Sequence, residues 1–231
     1  MAVLVLSSLN SIVEEALVLK GEDVDVVVPN KLMDSRRRRS PEVRFHGIAR
    51  WNDYTELEAL ANRIPNIDRV FTVEEQTVRA AGFLRDLLGL SGQSHRDALA
   101  MTDKHLMKER VRSHGIPAAG HVVARSIEDV RDAGGELGWP LVVKPRSGMG
   151  TMNTFKVNDQ DDLERLYREG AFTAGIPDPT GRLSASEGLV DGLFSYQFGF
   201  MVEQFIDVVE EYFCDMVWHD GELLMAYPAD I

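Results

Sequence analysis

The chain has one cysteine, Cys214, in 231 residues. A single thiol excludes an internal disulfide and a cysteine-based zinc site, and it fits a reducing compartment. Positive charge is also scarce: 25 Lys and Arg stand against 37 Asp and Glu, a formal net charge of −12. Neutralising a phosphate backbone needs surplus cations, so the balance argues against duplex DNA or RNA as the main partner. No apolar run approaches the roughly 20 residues of a membrane span. The opening run, VLVLSS at 3–8, has no basic region before it and suits a core strand rather than a signal peptide. The expectation is a cytoplasmic protein without a membrane partner. A GxGxxG turn is missing as well. The first strand is followed by Ser7-Ser8-Leu9-Asn10, which argues against dinucleotide binding there.

What is present is ordinary globular composition, 44% hydrophobic and 27% charged. Over the first hundred residues strands and helices alternate. Val3–Leu6 and Val24–Val28 are all-apolar runs suited to parallel strands covered on both faces. Between them a helix carries Ile12, Ala16, Leu17 and Leu19 and stops at Gly21. Val43–Ile48 and Asp68–Thr72 are further strand candidates. Leu57, Leu60, Ala61 and Ile64 have helical spacing, and Glu74–Leu88 predicts a helix ended by Gly89. Alternation of this kind implies a doubly wound, Rossmann-like layer.

From Thr102 the pattern changes. Asp103–Ser113 predicts a helix with Leu106, Met107 and Val111 inward. A strand at His121–Ala124 leads to a helix over Ile127–Leu137, with Ser126 and Asp129 spaced as a cap. Leu141–Val143 is a short buried strand that Pro145 closes, which leaves Lys144 at its end, where an ammonium can meet an anion. Ser147-Gly148-Met149-Gly150-Thr151 follows, small or flexible enough to fold backbone N–H groups over a phosphate. A nucleotide is the ligand this order suggests. Asp159–Arg168 reads as a helix, Gly170–Gly199 as an inserted loop, and Met201–Ile206 as a strand. Tyr212–Trp218 and Glu222–Tyr227 form a hairpin around His219-Asp220-Gly221.

The order of these parts resembles the ATP-grasp superfamily and, within it, stand-alone carboxylate–amine ligases. Four landmarks carry the resemblance: Asp103-Lys104, Val143-Lys144-Pro145, the Ser147–Thr151 loop, and VEQFIDVVEEY at 202–212. Residues 67–92 also look like the stretch these ligases carry before the grasp fold. The resemblance implies a Rossmann-like pre-ATP-grasp domain at 1–100 and an incomplete ATP-grasp α+β domain at 101–231. The lid of that second domain would span about 120–200, and its core sheet would begin at 201–231.

The resemblance also implies site roles. Lys104 and Lys144 would contact nucleotide phosphates, with Ser147, Gly148, Gly150 and Thr151 as the backbone cradle. Met149 and Met152 make this loop bulkier than the common family form. Glu203, Gln204, Phe205 and Ile206 resemble the hinge that grips adenine. The ribose glutamate would be Glu211, before Tyr212, while strict counting from Glu203 points to Glu210.

The implied cofactors are ATP and Mg2+, and the implied substrates a small carboxylic acid and an amine joined through an acyl phosphate. A homodimer is compatible with this reading. The metal ligands are expected beyond residue 231, so the chain is expected to be a fragment or truncated product, inactive alone. A carboxylase-type grasp enzyme and a non-catalytic nucleotide-binding module stand as alternatives. Other residues look structural. Arg36–Arg39 reads as an exposed basic loop, and Cys214 as an inert core thiol. The six histidines show no metal-ligand spacing along the sequence.

Overall fold

A computed structural model describes residues 2–9, 11–148, 151–172 and 199–230. Met149, Gly150 and most of the expected 170–199 loop lie outside the described residues. The first layer is a four-stranded parallel sheet in the order β3-β2-β1-β4. Its strands are β1 (Ala2–Leu6), β2 (Asp23–Pro29), β3 (Arg44–Ile48) and β4 (Ile67–Phe71). Side chains alternate across a strand, so β1 feeds two cores. Leu4 and Leu6 pack with Val27, Leu57, Leu60 and Leu84 on one face. Val3 and Val5 pack with Val24, Val26 and Val28 on the other.

Helices cover both faces: α1 (Ile12–Leu19), α2 (Met33–Arg39), α3 (Tyr54–Ala61) and α4 (Val78–Leu88). Helix α1 is rotated from the expected face. Val13, Leu17 and Val18 meet the sheet, whereas Ile12 and Leu19 are 70% and 88% exposed. The buried polar residue on its inner side is Glu14, and that explains the rotation. The Glu14 carboxylate accepts from Arg36 at 2.6 Å, and both side chains are under 10% exposed. The basic run is therefore not a solvated loop: it forms α2, and its first arginine is an internal ion-pair partner. Burial pushes the Glu14 carboxyl up from the ordinary range despite Arg36 beside it.

Two further helices follow, α5 (His95–Thr102) and α6 (Lys104–Ser113). The sequence reading missed α5. Helix α6 forms where expected, but Leu106 and Met107 are 39% and 41% exposed rather than inward. The second sheet is antiparallel, in the order β5-β8-β6-β7. It comprises β5 (His121–Ala124), β6 (Leu141–Pro145), β7 (Phe155–Val157) and β8 (Phe200–Gln204), flanked by α7 (Ile127–Leu137) and α8 (Gln160–Arg168).

The Ser126–Asp129 capping box is complete at the start of α7. Near its end, a Cβ on Gly134 would come within 2.2 Å of the Trp139 ring, so only glycine admits this packing. Leu141, Val143, Val157, Leu163 and Val202 form the core on that face. The hairpin β9 (Tyr212–His219) and β10 (Glu222–Asp230) is a separate two-stranded sheet. Cys214 is exposed on it, not buried, because no third strand or covering helix lies over that face among the described residues. The architecture is α/β, a Rossmann-like parallel layer followed by the antiparallel part of a grasp fold.

Candidate functional site

The polar face of the second sheet is built by alternation along β6. Leu141, Val143 and Pro145 are buried on the core side, which turns Val142 and Lys144 to the opposite face. Register then sets their neighbours. Val142 lies opposite Glu203, Lys144 opposite Met201, and His121 of β5 opposite Glu203. A row of polar side chains is thereby placed on the face opposite the apolar core.

Lys144 donates to the Glu203 carboxylate. Lys108 of α6 reaches the same carboxylate at 2.8 Å. Burial alone would raise the Glu203 carboxyl, but the two ammoniums outweigh it and hold it below the usual carboxylate range. Lys104 sits one turn earlier on α6 and donates from Nζ to the Gly148 carbonyl at 2.8 Å. Its pKa is pushed down by burial first and by the neighbouring Lys144 charge second. Two neighbouring cations, one of them on the Gly148 carbonyl of a glycine-bearing turn, make an arrangement that can attract an anion.

The turn is tied down from both sides. The Lys104 backbone N–H donates to the Arg146 carbonyl at 2.8 Å. The Arg146 guanidinium pairs with Asp103 at 2.7 Å, and Asp103 caps α6 by accepting from the His105 and Leu106 N–H groups. From the first layer, Arg79 of α4 donates to Thr102 Oγ1 at 2.6 Å and also to Ser147 Oγ. Burial, its largest cause, lowers the Arg79 pKa. Glu75, one turn before Arg79, is pushed up by burial while Lys104 and Arg79 pull it down. Thr151 follows with φ of 56°, in the left-handed region.

The structure thus brings together Lys104, Lys144, Ser147, Gly148 and Glu203. Gln204 and Phe205 serve the sheet through their backbones: their N–H groups donate to Gly120 and Pro140 carbonyls at 2.9 and 3.1 Å. The Phe205 ring lies 3.8 Å from Lys156 Nζ, and Ile206 is exposed. Glu210 and Glu211 are both exposed before β9, and Glu210 accepts from the Tyr212 hydroxyl. Sequence reasoning missed Glu75, Arg79, Lys108 and Arg146. The i, i+4 pair Glu75/Arg79 inside 67–92 was the available signal for two of them.

No family model matches the chain. It is 33% identical over 175 residues to the L-arginine-specific L-amino acid ligase of Bacillus subtilis, a match covering 74% of this chain and 38% of that protein. The crystal structure of an L-amino acid ligase from Bacillus licheniformis superposes with TM-score 0.66 at 19% identity, over 96% of this chain and 48% of that one.

The chain belongs to the ATP-grasp superfamily.

Another ATP-grasp likeness is N5-carboxyaminoimidazole synthase from Aspergillus clavatus, solved in complex with ADP and a ribonucleotide. Its TM-score is 0.64 at 18% identity, over 99% of this chain and 52% of that one. At such identity the likeness is one of fold. The chain spans under two fifths of the Bacillus subtilis ligase and about half of these solved structures. Within the superfamily, the sequence relationship places it in the carboxylate–amine ligase family.

Proposed function

We propose that this chain is the nucleotide-binding portion of an ATP-dependent carboxylate–amine ligase. The observation that carries the reading is the pair of neighbouring ammoniums beside the turn: Lys104 donates to the Gly148 carbonyl, and Lys144, paired with Glu203, is close enough to lower the Lys104 pKa. Lys104 and Lys144 bind the phosphates, and Ser147, Gly148, Gly150 and Thr151 supply the cradle. An incoming polyanion competes with Glu203 for Lys144 and relieves the Lys104–Lys144 repulsion. Glu203–Ile206 forms the adenine hinge. Since the Gln204 and Phe205 N–H groups are committed to the sheet, the hinge donor falls to Ile206. Glu211 takes the ribose, with Glu210 as its competitor for the role. The lid spans about 120–200 on the grasp domain that follows a first domain of about 100 residues.

ATP supplies the phosphoryl group that activates a substrate carboxylate, and an amine then displaces phosphate to leave an amide. The part of this chain is to position and neutralise the triphosphate. Arg79 anchors Ser147, so the first layer steadies the cradle. Magnesium wants an oxygen-rich octahedral set. Among the described residues, the one cluster of three or more His, Cys, Asp or Glu able to hold a metal includes two histidines. That set does not fit magnesium. The arginine-specific relative makes an amino acid the first substrate class to test.

The decisive experiment is calorimetry with ATP on the chain and on Lys144→Ala. The expected loss is tenfold or more, the scale of a charged hydrogen bond. Equal affinities would end the assignment of Lys144, and equal displacement by GTP would end that of the hinge. ADP release that requires a carboxylate and an amine, from this chain alone, would contradict its expected inactivity.

A further inference from the structure

On the same polar face, one row away from the phosphate lysines, three side chains converge that this nucleotide reading leaves without a role. They are His105 and Glu109 of α6 and His121 of β5. Their ligand atoms all lie within 4.8 Å of one another. His105 and Glu109 are four residues apart, so one helical turn aligns them on a single face. His121 projects from the strand beneath, and its ring centroid lies 5.4 Å from that of His105 at 64°.

The hydrogen bonding around His121 is incomplete in a specific way. Its side chain is fully buried, and Nε2 stands 3.2 Å from Glu109 Oε1. Nδ1 lies 3.3 Å from the Ala119 carbonyl, an acceptor, which fixes the proton on Nδ1. Nε2 therefore presents a lone pair to a carboxylate oxygen, which also has only lone pairs to offer. Nε2 makes no hydrogen bond, and neither does the buried Nδ1 of His105. A cation belongs between such acceptors, since two of them do not attract.

We propose that His105 Nδ1, His121 Nε2 and Glu109 Oε1 form a binding site for a transition-metal dication, Zn2+ in the first place. Two imidazoles and one carboxylate are a zinc set rather than a magnesium set. The 3.2 Å gap between His121 and Glu109 is close to the edge of a zinc tetrahedron, about 3.3 Å for bonds of about 2.0 Å. The wider His105 separation closes by side-chain rotation. The contact from Nδ1 of His121 to a backbone carbonyl is the outer-shell contact that orients a ligating histidine. Water takes the fourth position, on the side of the exposed Glu109.

Bound there, the metal fastens α6 to β5. Helix α6 carries Lys104 and Lys108, and His121 sits opposite Glu203, so the metal holds the lysines and the Glu203 row in one register. It is a structural clamp beside the nucleotide site.

The test is titration of the 231-residue chain with Zn2+ alone, followed by calorimetry and thermal melting. One equivalent should bind and raise Tm, and excess Mg2+ should not displace it. Glu109→Gln changes an exposed side chain and keeps the fold, and it should weaken binding at least tenfold. His105→Ala should do the same, and His219→Ala, remote in sequence on the hairpin, should change nothing. If His105→Ala fails to fold, Glu109→Gln alone decides. Absence of zinc binding overturns the site, as does affinity unchanged in Glu109→Gln. A sulfur-to-metal charge-transfer band with Co2+ would place the ion on Cys214 and overturn it as well.

Discussion

Strands β1 and β9 are both rich in apolar residues, and their surroundings are opposite. No residue of β1 is more than 4% exposed. Every residue of β9 is exposed, with Trp218 at 59% and Tyr212 at 67%. The difference lies in the neighbours. β1 is an inner strand of four parallel strands, hydrogen-bonded on both edges, with helices over both faces. β9 pairs with β10 only. Apolar composition creates a demand for burial, and only a second layer meets it. An isolated two-stranded ribbon is at best marginal in water. The first sheet should therefore carry much of the folding stability, and the hairpin little.

The largest effect should come from the ion pair under that sheet. Arg36→Met leaves the Glu14 carboxylate buried, with Glu74 nearby to repel it. The expected loss is about 3–5 kcal/mol in denaturant unfolding. A loss under about 1 kcal/mol would mean that Glu14 is simply protonated and the pair idle. Next is the core itself: Leu4→Ala should cost about 2–5 kcal/mol by the cavity it leaves. If Leu4→Ala were tolerated as well as a hairpin substitution, the contrast between the two regions would collapse.

Arg36 also shows what was legible and what was not. Strand positions in the first sheet follow from β-branched runs, which need no knowledge of tertiary partners. The Ser126–Asp129 cap and the Lys144 strand end are local rules too, and they hold. Arg36 and Glu14 are 22 residues apart, and no local pattern distinguishes a buried arginine from its three solvated neighbours. The same limit hid the His105–Glu109–His121 cluster. Its members lie on two elements, and their spacing along the chain matches no metal pattern. Lys144 was expected to meet an anion, and the anion present is Glu203, which the resemblance placed in an adenine hinge. Pairing register, fixed only when β8 inserts between β5 and β6, brings them together.

A smaller effect should separate two of the buried carboxyls, Glu203 and Glu14, by pH. Glu203 is held low by Lys108 and Lys144 against the pull of burial. Its contribution is present above its unfolded pKa and is lost as pH falls through the lower folded value. Glu14 is raised chiefly by burial. Its protonated form is favoured by folding, so its contribution is present at low pH and fades as pH rises through the raised folded value. Carboxyl-carbon NMR titration should show Glu203 titrating below the ordinary glutamate range and Glu14 above it. In Glu203→Gln, the loss of stability in acid should become shallower. An unchanged acid limb would mean that the Lys144–Glu203 contact is not made in solution.

The smallest effect on folding should be at the hairpin, and there the comparison is sharpest. Trp218→Ser removes a large side chain already 59% exposed and paired across the ribbon with Leu223. Little burial is lost, so the change in unfolding free energy should stay within about 0.5 kcal/mol. Association is a different matter. Phe213, Met216, Val217, Trp218, Leu224, Met225 and Tyr227 are all exposed on one ribbon, and its outer edges lack a paired strand among the described residues. Such an edge is a template for another strand. Trp218→Ser should therefore reduce self-association in sedimentation velocity at fixed concentration while leaving the melting temperature of the first layer in place. A melting temperature that drops as far as in Leu4→Ala would show that the hairpin is packed in solution. A sedimentation profile unchanged by the substitution would show that its apolar surface does not govern association.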